Sequence, residues 1–456
     1  MTSDMMVVML GHPLPSRAAA RPVARLLAAG GALVLALPLL PAAPLLPAAL
    51  ADPALAEGEP PAHAYAARGA EVSGGASQAQ AASVEPGLHR DSFAHGGAEA
   101  GEDGTVKYYR VAVADGQRVH AAATIAAPPV EGGLPEEAAG LGVDVSFLTA
   151  AGDACDDGSA QEVGESRTGD GPVTAAAVSD VIGPDGCAGD ELFVRVAREG
   201  PKDRESPLPL ELQVALQPAG IGGGAPAVDE PIEDEGARPV SPEDPEPIAP
   251  GRSIGDALEV GPGSHVLELV PGETALLRLE LREGQRLRWR TEVVAGEGSP
   301  SGSLALRVLD AVRSPVEVGG GSWDVTGAGQ VRGGGMAAPV DLGNRGADRD
   351  AISSAWLPGT HTVQVQRLQR PADADPEGDV PMRIVLTLEV EGEPAEDAAE
   401  GTVLELGDAR ASGGWHLLDG GEETARALRL AGAGALAVAG LGLGAAGVLV
   451  LRPRRG

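Results

Sequence analysis

Aromatic side chains are almost missing from this chain: four Trp, three Tyr and three Phe in 456 residues. Any core it builds must rest on Val, Leu and Ala, and at 43% hydrophobic and 22% charged residues folded domains remain possible. Two Lys and a single Asn, beside heavy use of Ala, Gly, Arg and Pro, reflect a GC-rich genome more than any activity. Positive charge is scarce too, with 34 Lys and Arg against 66 Asp and Glu, a formal net charge of −32. Residues 1–51 carry three Arg and one Asp, and residues 426–456 carry five Arg. Removing their +2 and +5 leaves about −39 for the part between. Such a surface repels nucleic acid and anionic lipid, which excludes both as partners.

Two common catalytic signatures are missing as well. There is no His-Glu-x-x-His zinc site and no Gly-Lys-Ser/Thr phosphate loop. The eight His are scattered, and His120, His265 and His361 fall on or near alternating segments, where a hydrogen-bonded sheet histidine is expected rather than a base or ligand. Asp153, Asp156 and Asp157 flank Cys155 and could gather oxygen ligands for calcium. In so acidic a chain a solvated loop is the expected reading, and no metal or cofactor is assigned.

What is present begins at the two ends. Arg17, Arg21 and Arg25 precede an apolar run, residues 26–50, which closes on Ala49-Leu50-Ala51 with Asp52 next. A basic cluster, an apolar run and a small-x-small site form the order of a secretory signal, so residues 1–51 are expected to be a signal peptide cut before Asp52. The 22 residues bounded by Leu430 and Leu451 carry no charge. As a helix they would be about 33 Å long, enough for a hydrocarbon core of ~30 Å. Arg452, Arg454 and Arg455 follow and mark the inner side, so residues 430–451 are expected to be a single-pass anchor with a cytoplasmic tail, 452–456.

Two cysteines, Cys155 and Cys187, complete the inventory. In an exported chain they read as a disulfide rather than two free thiols. It would close a loop of about 33 residues and contribute roughly 3–4 kcal/mol.

Between the ends lies a repeat. Tyr109-Arg-Val-Ala-Val-Ala-Asp-Gly-Gln-Arg-Val119 aligns with Leu277-Arg-Leu-Glu-Leu-Arg-Glu-Gly-Gln-Arg-Leu287. Then Val143–Leu148 aligns with Leu304–Leu309, Leu192–Arg198 with His361–Arg367, and Pro209–Leu216 with Pro381–Leu388. Alternating apolar and polar residues with Gly turns predict half-buried strands. The fold class expected is mainly β: two jelly-roll-like β-sandwich domains in tandem, 89–218 and 253–393, plus one C-terminal transmembrane helix. Residues 219–252, rich in Pro and acids, are expected to be a stiff extended linker. Residues 52–88 and 394–429 are poor in bulky apolar side chains and are expected to be a mobile leader and a juxtamembrane stalk.

The segment order resembles the bacterial pre-peptidase C-terminal (PPC) family, a jelly-roll-like β-sandwich found beside secreted peptidases. The matching residues are Tyr108-Tyr109-Arg110-Val111 with Asp115-Gly116, Val143-Asp-Val-Ser-Phe147, and Gly359-Thr360-His361 with its counterpart Gly189-Asp-Glu-Leu-Phe193. The second copy lacks the Tyr pair and the middle-strand Asp. The envelope layout is similar to that of actinobacterial exported, membrane-anchored proteins, some of which carry a von Willebrand A domain. The metal motif of that domain fails here at Leu148 of Asp144-Val-Ser146-Phe-Leu148. The expectation is a non-enzymatic cell-surface binding or structural ectodomain, with an envelope protein or glycan as partner. Two alternatives stand beside it: an accessory subunit that positions an exported peptidase or secretion component, and a divergent hydrolase.

Overall fold

The computed structural model describes residues 64–93, 105–130, 132–136, 140–156, 160–163, 171–184, 187–200, 207–296, 298, 300–374, 376–395 and 403–406. The expected signal segment with Ala49, Ala51 and Asp52, the expected anchor from Leu430 to Leu451 with Arg452, Arg454 and Arg455, and Asp157 lie outside them. Among the described residues no helix is long and apolar enough to cross a membrane.

The alternating segments form strands and stack as two sandwiches. The first contains β1 (Ala70–Glu71), β2 (Ala82–Val84), β3 (Gly87–Phe93), β4 (Val106–Ala112), β5 (Arg118–Ile125), β6 (Gly142–Leu148), β7 (Ala160–Val163), β8 (Val173–Val178), β9 (Glu191–Glu199) and β10 (Leu208–Gln217). Its sheets run β1-β3-β10-β5-β8 and β2-β4-β9-β6-β7. The second contains β11 (Leu258–Glu259), β12 (Gly263–Leu269), β13 (Thr274–Leu281), β14 (Arg286–Val293), β15 (Gly302–Leu309), β16 (Pro315–Val325), β17 (Val331–Gly335), β18 (Gly359–Arg367) and β19 (Met382–Glu391). Its sheets run β12-β19-β14-β17 and β11-β13-β18-β15-β16. Replacing each strand of one copy by its counterpart reproduces the other, apart from β1. Each sandwich has its own apolar core. Tyr109, Val111 and Val145 lie in the first, and Leu277, Leu279 and Leu306 in the second, all at the inward positions of their strands.

Register tests the repeat residue by residue. Tyr109 faces Val194 and Leu277 faces Val363; Val145 faces Val196 and Leu306 faces Val365. These are the pairs the sequence alignment equates. The last strand differs by two residues: Leu216 faces Val119, whereas it is Val390 that faces Leu287. Leu216 therefore corresponds to Val390 and not to Leu388. Because side chains alternate with period two, a slip of two keeps every residue on its face, and the apolar pattern alone cannot detect it.

The repeat also starts earlier than expected. Val84-Glu-Pro-Gly87-Leu-His89 matches Val260-Gly-Pro-Gly263-Ser-His265. The glycines have φ of +144° and +140°, and each histidine Nε2 is bonded to the carbonyl four residues before it, at 2.8 and 3.0 Å. Upstream of these, Gly75 bridges to Tyr108 as Gly251 does to Leu276. Residues 64–88, expected to be mobile, thus belong to the first sandwich. Their backbone groups join its sheets, which their small side chains do not prevent.

The acidic connector differs from the stiff free spacer expected of it. It lies along the second sandwich without regular structure, donating from Ile232 N to Ala337 O (2.7 Å), from Ala237 N to Trp289 O (3.1 Å) and from Ile248 N to Val266 O (2.9 Å). The Asp234 carboxylate sits 2.8 Å from Arg286 and 2.9 Å from Arg288. Burial would raise its pKa, but hydrogen bonds from Arg288 and Gly236 and the two guanidinium charges hold it below the usual range. The chain passes over Gly333 and Gly334, where a Cβ on Gly333 would meet Glu235 O at 2.6 Å. Arginines across the gap pair with the linker's acid, so the repulsion that was to keep it extended does not decide its path. Part of the expected stalk is also bound: Leu404 is buried, and Glu405 exchanges two backbone hydrogen bonds with Leu216, of 2.7 and 3.0 Å.

Candidate binding cleft between the sandwiches

Each sandwich turns one outer sheet face toward the other, and the two faces are not equivalent. The first offers the β3-β10-β5-β8 face, with Glu211, Gln213, His120, Ala122 and Thr124 outward. The second offers the β13-β18-β15 face, with Arg278, Thr362, Gln364 and Gln366 outward. The join is polar at its centre. Arg313 and Glu211, both with fully buried side chains, pair at 2.6 Å. Gln213 accepts from Arg313 Nε at 2.7 Å and donates to Ala311 O at 2.6 Å. Glu211 also takes the backbone N–H groups of Gly255 (2.9 Å) and Arg68 (2.7 Å). At one edge His120 stacks on Trp356 at 5.9 Å, Arg345 covers that ring at 4.7 Å, and Gln217 bridges to His120 and Arg345. Burial pushes the His120 imidazole down to about 4, so it is neutral at ordinary pH. At another, Val130 and Gln369 exchange two hydrogen bonds of 2.9 Å.

Two cavities open where the faces diverge, and Pro172 borders both. One, of about 350 Å³, is lined by Tyr65, Arg252, Glu273 and Thr274 among others. Most of its polar groups are engaged: Tyr65 Oη accepts from Ile254 N, Arg252 donates to Ala64 O, and Glu273 accepts from Val270 N. The other, of about 340 Å³, is lined by Thr174, Arg307, Pro315, the glycines 319–321 and Gln364.

Buried polar atoms without partners gather here. Among the described residues nine buried side-chain atoms lack a hydrogen bond, and four of them are Thr274 Oγ1, Thr362 Oγ1, Gln364 Nε2 and Gln366 Nε2. The last three share one face of β18, and Thr274 is the register neighbour of Gln366 on β13. A buried donor left unmade costs about 1–3 kcal/mol, so such a row needs a reason.

Of the site residues expected from sequence, Cys155 and Cys187 form the disulfide, with Cα atoms 5.5 Å apart, inside the first sandwich. Asp156 accepts from the Phe147 N–H at 2.5 Å, and the Asp153 N–H donates to Thr149 Oγ1 at 3.2 Å. Both belong to the turn after β6, and among the described residues no group of His, Cys, Asp and Glu is placed to hold a metal. None of these residues lines the cleft. Sequence reading missed the cleft, although one signal was there. The outward residues of β18 (Thr360, Thr362, Gln364, Gln366) carry no charge, whereas those of β14 (Arg286, Arg288, Arg290, Glu292) are all charged. An uncharged polar face in so acidic a chain marks a strand covered on both sides.

No protein-family model matches the chain, and no curated protein matches it. Among solved structures it is similar to the tandem CBM22-1-CBM22-2 domains of Xyn10C from Paenibacillus barcinonensis, at 12% identity over 67% of this chain and 97% of that one, with a TM-score of 0.17. It is similar to the ANX1 ectodomain from Arabidopsis thaliana at 10% identity over 66% and 85%, TM-score 0.19. It is also similar to tripeptidyl peptidase 2 at 10% identity over 68% and 24%, TM-score 0.18. Scores this low support no functional transfer.

Proposed function

We propose that this protein is a non-enzymatic, membrane-tethered surface ectodomain that binds its ligand in the cleft between PPC-like sandwiches. The observation that carries the reading is the row of unpartnered buried hydrogen-bonding groups on β18, of which Gln364 borders a cavity of about 340 Å³. A fixed join supports it: the buried Arg313–Glu211 pair sets one sandwich against the other, so the walls are organised before a ligand arrives. Among the described residues, the histidines of the two sandwiches are engaged in structural bonds, His89 and His265 to backbone carbonyls, His120 to Gln217, and His361 through Nδ1 to Gly359 O at 2.9 Å.

The test uses full-length protein and envelope fragments. Co-sedimentation should be lost on Pro315→Trp, which places a large side chain at the exposed mouth of the cavity. Equal binding by the variant, or turnover of a substrate in an activity screen, would overturn the reading. Truncation before Arg426 should release the protein into the medium, and retention in the membrane fraction would remove the tether from the proposal.

A further inference from the structure

The polar row on β18 has a chemistry narrow enough to select a ligand class. Gln364 is 6% exposed, borders the cavity, and its Nε2 has no partner. Across the space Thr174 is bonded to Thr124 at 2.9 Å and so holds a fixed hydroxyl at the wall. Val308 and Val316 with Pro172 and Pro315 supply apolar surface, and glycines 319–321 leave one wall without side chains. Among the described residues, the charged ones lining the space are one of each sign, Arg307 and Glu317, both exposed. An ionic ligand would find no net charge to meet it there, and an anion would be repelled by the formal −32 of the chain.

β18 and β15 are paired on both sides, whereas β8 and β16, which also border the cavity, are edge strands, so a peptide added as a strand is the competing occupant. The side chains at the wall favour a neutral molecule with adjacent groups that both donate and accept, and with apolar faces between them. A carboxamide matches vicinal hydroxyls in that way. The volume lies at the small end of ligand pockets, ~300–1,000 Å³, room for one or two sugar rings. Resting on the reading of the cleft as the ligand seat, we infer that this cavity binds a neutral mono- or disaccharide unit through the Gln364 amide.

Isothermal titration calorimetry of the full-length protein with cellobiose, xylobiose, maltose and N,N′-diacetylchitobiose tests this, with triglycine as the peptide arm. At least one disaccharide should bind. Gln364→Met should weaken that binding by about tenfold, the loss of one good hydrogen bond. It should leave the melting temperature unchanged or higher, since it removes an unpartnered buried amide. Pro315→Trp should abolish binding with the melting temperature kept. Binding that both variants retain would overturn the proposal, as would failure of all four sugars. If the sugars fail while Pro315→Trp still abolishes co-sedimentation with envelope fragments, the ligand class is wrong and the seat stands. Triglycine binding that Gln364→Met removes would have the same meaning. Failure of both assays sinks the cleft as a seat altogether.

Discussion

The same turn occurs once in each sandwich, after β6 and after β15. In the first, Thr149 N donates to Asp153 O, Gly152 N to Thr149 O, and Asp153 N to Thr149 Oγ1. In the second, Asp310 N donates to Ser314 O, Arg313 N to Asp310 O, and Ser314 N to Asp310 Oδ1. Gly152 has φ +88°, and Arg313, in the equivalent place, has φ +66°. Arginine in the left-handed region costs of order 1–3 kcal/mol. The compensation comes from the other copy, through Glu211 and Gln213. One turn is a solvent-facing connection built on the residue that fits it. The other accepts a strained residue because its side chain fastens two domains. The local geometry is shared, and the role is set by what lies outside the turn.

The largest expected effect comes from cutting that fastening. Glu211→Ala should destabilise the protein by about 3–5 kcal/mol, because it strands a buried guanidinium. Urea unfolding measures this, and a loss below about 1 kcal/mol would show that the pair is not buried in solution. Arg110→Ala, on the outer face of β4, should stay within about 0.5 kcal/mol. Arg278 occupies the matching position on β13 but is only 9% exposed, so the two arginines are not interchangeable controls.

Next in size is the pH dependence of the second turn. Burial pushes the Asp310 carboxyl up to about 7, against the hydrogen bonds from Ser314 and Val312 that favour its charge. Its folded value exceeds the ordinary one, so this stabilisation is whole below pH ~4 and declines as the pH rises toward 7, where it is gone. Unfolding midpoints at pH 4, 5.5 and 7.5 should show the decline, and Asp310→Asn should flatten it. Thr149, the sister residue, does not titrate.

The disulfide exists in one copy only. Reduction should therefore destabilise the first sandwich by about 2–4 kcal/mol and spare the second. Hydrogen exchange resolves the halves, and equal loss of protection in both would mean that the copies unfold as one unit.

The smallest effect separates the two turns directly. Gly152→Ala should cost about 1 kcal/mol through its positive φ alone, since no atom within 3.4 Å of the added Cβ stands in the way. A change larger than about 2 kcal/mol would mean that the first turn is also held by something beyond itself.

How much of this was legible beforehand depends on the range of the interaction. The alternation of Tyr109, Val111 and Val113, and of Leu277, Leu279 and Leu281, identifies strands and their inward faces, because a pleated strand sorts its side chains with period two whatever surrounds it. The disulfide was legible for a similar reason: with two cysteines, one pairing exists. The start of the first sandwich was missed because the Gly and Ala of residues 64–88 bury little apolar surface, and their place is held by backbone bonds to β3 and β4. The linker was misjudged because its acids were weighed against one another, while the arginines that meet them, Arg286 and Arg288 on β14 and Arg349, belong to the second sandwich.

Sequence by itself determined the strands of the four aligned segments, the repeat, its register in three of the four and the inward face of those strands, since all of these follow from local pattern. Only the tertiary structure decided which outer face would be covered. The Arg110 face of β4 meets solvent, while the equivalent face of β13 meets the other sandwich. That choice is made by Glu211, Gln213 and Arg313, about one hundred residues apart in the chain. No period, motif or composition encodes it, because a buried pair is defined by the two surfaces that bring it out of water together.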